Sequence, residues 1–248
     1  MNNDKKAVIV VLLLIALTVA AYPFTSTGDN WQIYGINSYN FFQEGKFDPL
    51  ITAIFTHLDE WHIFGNMIFL FVFGITLAAF IGWKKFIIVY FIGGIAGNLA
   101  WVIYPVIDEG AASVTAVGAS GAVFAVMAAL AMAKPKNAED IAEKSEILKF
   151  FPHVPWLGLI FTMVMGEGIL GFIGIIFYFL FVTVPDLILG EPVAHAAHFG
   201  GMLAGLVLGY LFKCKNDETD EDTKHNGHEK KYEEVMPVHD YDGFNTNK

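Results

Sequence analysis

Of 248 residues, 55% are apolar and only 16% charged, with 23 Phe, 24 Gly and a mean hydropathy of +0.51. A soluble globule carries roughly 45–50% and 25%, so this chain holds more apolar surface than an interior of its size can hide and its solvent is a bilayer. The formal net charge of -10 names no partner because much of it lies in one tail, all fifteen basic residues are Lys, which argues against nucleic acid, and the single Cys214 excludes an intramolecular disulfide or a Cys-built zinc site.

A spanning helix needs about 20 mostly apolar residues. Six such stretches are predicted: Ala7 to Tyr22, His62 to Ile81, Phe86 to Tyr104, Val117 to Ala133, Ile169 to Leu189 and Val193 to Phe212. The first, behind Lys5 and Lys6, also fits a cleavable signal peptide, since Val19, Ala20 and Ala21 resemble a small-residue cleavage site. Lysines orient the set, because short Lys-rich loops stay cytoplasmic. With six spans, Lys5, Lys6, Lys84, Lys85, Lys134, Lys136, Lys144, Lys149, Lys213 and Lys215 all fall on one side. The alternate loops carry Asp29, Glu44, Asp48, Asp59, Glu60, Asp108, Glu109, Asp186 and Glu191 against Lys46 alone, so both termini are expected in the cytoplasm.

Between the first two spans, Pro23 to Trp61 is rich in Trp31, Tyr34, Tyr39, Phe41, Phe42 and Phe47 and is expected to lie along the headgroups. Phe150 to Met165 is apolar, but Pro152 and Pro155 break its start and a seventh span would put Lys213 and Lys215 outside. It reads as re-entrant or interfacial. Two domains result: a six-helix domain over 1–212 and a polar tail over 213–248, too poor in aliphatics from Asn216 onward to repay its ordering entropy. His225, His228 and His239 in that tail read as solvated.

Polar side chains inside spans are costly and mark candidate sites. The second span opens His62-Ile63-Phe64-Gly65-Asn66, with His62 and Asn66 four apart on one face. Alone, the pair reads as helix-bridging hydrogen bonds. The fourth span begins Gly118-Ala119-Ser120-Gly121-Ala122-Val123-Phe124, and its glycines leave room for a substrate backbone beside Ser120. In the sixth, His198 shares a stripe with Gly201, Gly205 and Gly209, which can press against a small face of Gly121, Ala125 and Ala128. If those faces meet, Ser120 and His198 come within hydrogen-bond reach, and a serine able to pass its proton to an imidazole is an activated nucleophile. On this packing Gly201 tolerates no side chain, whereas Gly200, one position round the helix, is expected to be milder. Asn66, His62 and the Ser120 N–H would serve the oxyanion. No carboxylate lies in these spans, so the arrangement is a dyad. His57 and His195, at the outer mouth, fit either substrate contact or a structural role.

Together these residues resemble the rhomboid family of intramembrane serine proteases over about residues 7 to 212. The likeness rests on His62-x-x-x-Asn66, Gly118-Ala119-Ser120-Gly121 and Ala197-His198-x-x-Gly201-x-x-x-Gly205, in that order and each at an outer helix end. It implies an all-α, six-helix polytopic bundle in the cell membrane whose site opens to the extracytoplasmic side. It also implies Ser120 as nucleophile, His198 as general base and acid, His62 and Asn66 as oxyanion donors, single-pass transmembrane substrates, and no cofactor or metal. Three features depart from the family pattern: no Trp-Arg pair in the first outer loop, Ala78 where many members carry Glu, and Phe124 where a Tyr is common. A non-catalytic adaptor for transmembrane helices and a transporter with a polar pathway are the alternatives; the transporter lacks internal repeats and midplane charges.

Overall fold

The computed structural model describes residues 3–106, 112–133, 143, 145, 148–149 and 195–213. Among these residues the architecture is helical, with no strand beyond one isolated bridge. In chain order the helices are α1 (Asn3–Thr25), α2 (Asn30–Tyr34), α3 (Ser38–Phe42), α4 (Pro49–Phe55), α5 (Glu60–Phe69), α6 (Ile75–Ile81), α7 (Trp83–Ile103), α8 (Ser120–Ala133) and α9 (His195–Lys213). One π turn, Leu70–Gly74, joins α5 to α6, so Glu60–Ile81 runs as one rod.

Four described helices are long and apolar enough to cross a membrane: Lys5–Thr25, Glu60–Ile81, Trp83–Val106 and His195–Lys213. They correspond to the first, second, third and sixth predicted spans. The fifth, the segment Phe150 to Met165 and the tail beyond Lys213, which itself ends α9, lie outside the described residues.

The fourth differs from expectation. Its helix begins at Ser120 rather than Val117 and has only 14 residues, about 21 Å of rise against a hydrocarbon core of about 30 Å. The cause is Gly118, whose φ of +121° lies outside the helical region and suits glycine alone. A short helix with irregular backbone above it is tolerated at membrane depth only where protein surrounds it. Accordingly Gly121 through Leu130 are all buried, making α8 the centre of the bundle.

Lipid tails are as apolar as leucine, so packing holds such helices together rather than water exclusion. Small residues let the backbones approach. A Cβ added to Gly93 on α7 would fall 2.0 Å from the Ala125 Cβ, and one added to Gly97 2.6 Å from the Ala197 carbonyl oxygen of α9. α1 turns Ala7, Val11 and Leu14 inward and leaves Leu12, Leu13 and Leu17 exposed, as a helix with lipid on one side should.

The segment between α1 and α5, expected as the first outer loop, is more built than a strip of interfacial aromatics. It folds into α2, α3 and α4 and is tied to the segment above α8: Ile36 and Ala116 exchange backbone hydrogen bonds of 2.9 and 2.8 Å, and Asn37 Nδ2 donates to Thr115 Oγ1 at 2.9 Å. Asn37 and Asn40 form a reciprocal capping box at the start of α3. Asn98 and Trp101 of α7 donate to the Leu50 and Val114 carbonyls. These amides and the indole fix a loop that has no Trp-Arg pair.

Candidate active site

The site forms where three helix ends meet beneath that loop. On α5, Asp59 is the N-cap and its carboxylate accepts from the His62 N–H at 2.8 Å. Such a cap is worth about 1 kcal/mol and fixes the first turn that carries His62. Asn66, one turn further, is buried and donates its side-chain amide to the His62 carbonyl at 2.9 Å. A Cβ on Gly118 would stand 2.7 Å from His62 Nε2 and 3.8 Å from Ser120 Oγ. The bare glycine therefore leaves His62 and Ser120 facing one small space.

Ser120 is the first residue of α8. The first bond from α8 back to its cap is Val123 N–H to the Ala119 carbonyl, 2.9 Å, so the N–H groups of Ser120, Gly121 and Ala122 have no acceptor within the helix. They point the positive end of the helix dipole toward the site.

α9 brings His198, 4% exposed, against this end: its Nε2 lies 2.8 Å from Ser120 Oγ. The Phe124 ring packs on the imidazole at 4.6 Å between centroids, tilted 32°. The closeness of α8 and α9 comes from the glycine stripe. Added Cβ atoms on Gly201, Gly205 and Gly209 would fall 2.1, 2.2 and 2.6 Å from the carbonyl oxygens of Gly121, Ala125 and Ala129. The opposing face thus uses Ala129 where Ala128 was expected, because the two stripes repeat every four residues in parallel. Gly200, expected to be milder than Gly201, is nonetheless enclosed: its Cβ would meet Ala100 Cβ at 2.5 Å and the Ala96 carbonyl oxygen at 2.8 Å, since α9 packs on α7 as well as on α8.

His57, left open between substrate contact and structure, is fully buried and its Nε2 accepts from the Ala119 N–H at 3.3 Å. Its carbonyl accepts from Ser26 Oγ at 2.6 Å, and its ring meets that of His62 edge-on at 5.0 Å. It therefore clamps the residue before Ser120 to the turn between α4 and α5. Burial, reinforced by the nearby His62, pushes its pKa down to about 3; the Phe55 carbonyl opposes this without reaching hydrogen-bond geometry. His57 is neutral at physiological pH. This role and the Asp59 cap escaped the sequence reading. The cap had a signal, an Asp three residues before His62 at a helix start; the clamp had none, because its partner lies 62 residues away. His195 stands one turn before His198, ring centroids 6.5 Å apart. Among the described residues no group of three His, Cys, Asp or Glu could hold a metal ion.

The chain is similar to several known proteins. The chain is 29% identical over 165 residues to Rhomboid-related protein 2 of Mus musculus, covering 66% of this chain and 48% of the relative. It is 26% identical over 203 residues to Rhomboid protein 1, mitochondrial, of Saccharomyces cerevisiae, covering 81% and 52%. It is 30% identical over 141 residues to RHOMBOID-like protein 12, mitochondrial, of Arabidopsis thaliana, covering 52% and 40%. The chain thus spans about half the length of the first two curated relatives and less of the third. The family profile of the Rhomboid domain matches residues 44–214, a stretch that includes α4 to α9 and so Ser120, His198, His62 and Asn66. With that match over more than half its length, and with its apolar helices, the chain is a multi-pass membrane protein of the rhomboid family.

Proposed function

We propose that the chain is an intramembrane serine endopeptidase that cleaves transmembrane helices of other proteins near the outer membrane face. The observation that carries this reading is the 2.8 Å approach of Ser120 Oγ to His198 Nε2 at the recessed start of α8. In the proposed step the Ser120 hydroxyl donates its proton to His198 Nε2 as Oγ attacks the scissile carbonyl carbon. The oxyanion then accepts from the Ser120 N–H and from the Asn66 and His62 side chains. Asn66 keeps one amide hydrogen for its own helix and has a second to offer. His198 passes its proton to the leaving amine, and water repeats the sequence on the acyl ester. No cofactor enters this scheme. Gly118, Gly121, Phe124, Gly201 and Gly205 hold the pair in register.

The same reading takes the site as opening outward from a cell membrane, with six spans, both termini cytoplasmic, residues 1–212 as the protease domain and 213–248 as a tail. Single-pass proteins are the substrate class, since a helix must unwind locally before its carbonyl is accessible. The test is labelling with an alkyl fluorophosphonate, which requires an activated serine. Wild type should label at Ser120 and Ser120→Ala should not; an unlabelled wild type would leave the membrane adaptor as the better reading.

A further inference from the structure

His195 and His198 lie three residues apart on α9, their rings 6.5 Å apart at 71°. In each, Nδ1 is buried and has no hydrogen-bond partner among the described residues. Buried polar atoms are nearly always paired, so two orphaned ring nitrogens one helical turn apart, beside the Ser120–His198 contact, call for a joint explanation. If His198 Nε2 accepts the serine proton, His198 Nδ1 must carry a hydrogen. That hydrogen becomes a stronger donor when the ring turns cationic, and among the described residues no carboxylate takes it. The Nδ1 of a neutral His195 whose proton sits on Nε2 is a lone-pair acceptor.

Resting on the dyad reading above, we propose that His195 is the positioning residue of the base: its Nδ1 accepts, through one bridging water, the Nδ1 hydrogen of His198. Ring separations of this size suit a single bridging water. His195 thereby holds the tautomer and orientation that a carboxylate holds in a triad. The proton balance is simple. Ser120 Oγ–H breaks, its proton moves to His198 Nε2 and leaves with the amine, and the Nδ1 hydrogen stays on His198 throughout. The titratable groups acting on His198 are His195 and His62, with Asp59 and His57 behind His62. The surfaces of α7 and α8 that meet the glycines of α9 consist of glycine, alanine and Met132, none of which titrates.

The experiment measures alkyl fluorophosphonate inactivation of the purified full chain in detergent, separating the maximal rate from half-saturation. His195→Ala should lower the maximal rate at least about tenfold with half-saturation unchanged. His195→Gln, whose amide oxygen can accept the same hydrogen bond, should restore most of it. A wild-type rate in His195→Ala, a change confined to half-saturation, or equal losses in the Ala and Gln variants would each overturn the role of His195 while leaving the dyad standing. A wild type that fails to label at Ser120 would overturn both.

Discussion

Gly201→Ala is the smallest change that tests the packing on which the site depends. Its new methyl carbon would stand 2.1 Å from the Gly121 carbonyl oxygen, 2.8 Å from the carbonyl carbon and 3.1 Å from Cα. All three are backbone atoms at the start of a buried helix and cannot rotate away. Restoring an ordinary carbon–oxygen contact of about 3.3 Å requires the helices to separate by roughly 1.2 Å. His198 is less than one turn from the insertion, so its 2.8 Å approach to Ser120 would open to about 4 Å, beyond hydrogen bonding. A misplacement of about 1 Å costs on the order of a hundredfold in rate, and overpacking costs about 1–3 kcal/mol. Cleavage of a fluorogenic transmembrane peptide and the melting temperature in detergent should both fall. Gly65 is the internal control: it lies on α5 between His62 and Asn66, yet an added Cβ meets nothing within 4 Å, so Gly65→Ala should keep activity and gain up to about 1 kcal/mol of helix propensity. Wild-type cleavage by Gly201→Ala would refute the close meeting of α8 and α9.

Ser120→Ala and His198→Ala should each abolish cleavage at nearly unchanged melting temperature, and the double variant should be no slower than either; additive losses would mean two independent roles. Asn66→Ala should lower turnover by roughly ten- to a thousandfold as one of several oxyanion donors is lost, whereas unchanged turnover would assign Asn66 to its bond with the His62 carbonyl alone. For His57 the sign follows from a depressed pKa: the unfolded chain takes up its proton below about 6.5, the folded protein only near about 3. Stability is therefore full above about 6.5 and falls by about 1.4 kcal/mol per pH unit below it. Between pH 7 and pH 5 the free energy of unfolding should fall by about 2 kcal/mol more in wild type than in His57→Gln, read as a larger drop in melting temperature, and parallel drops would show that His57 is not held neutral by burial.

Local patterns carried the sequence reading furthest. Apolar runs located α1, the Glu60–Ile81 rod, α7 and α9 because a bilayer demands a minimum length, and that demand is written in composition. The proximity of Ser120 and His198 was expected from matching stripes of small residues, since glycine spacing is visible before folding. Nonlocal features were not legible. Whether Gly200 faces lipid or α7 depends on where a third helix stands, and Ala129 replaces Ala128 through the rotation of two helices about their axes. The loss of residues 117–119 from the fourth helix turns on one φ angle at Gly118, a choice that hydropathy does not encode. The docking of α2 to α4 rests on amide bonds to residues about 50 to 80 positions away.

The shortness of α8 makes it a ruler. On the proposed topology, with its C-terminal end at the inner interface, its fourteen residues climb about 21 Å of a core about 30 Å thick, which would place Ser120 about 9 Å beneath the outer boundary. At 1.5 Å per residue that depth equals about six residues of an incoming helix. On the proposed reading, the bond cut is counted off from the outer edge of the substrate's own span, so lengthening a substrate's outer apolar stretch by a few residues should carry the scissile position along by the same number. A thinner bilayer would move the cut outward without any change in the protein.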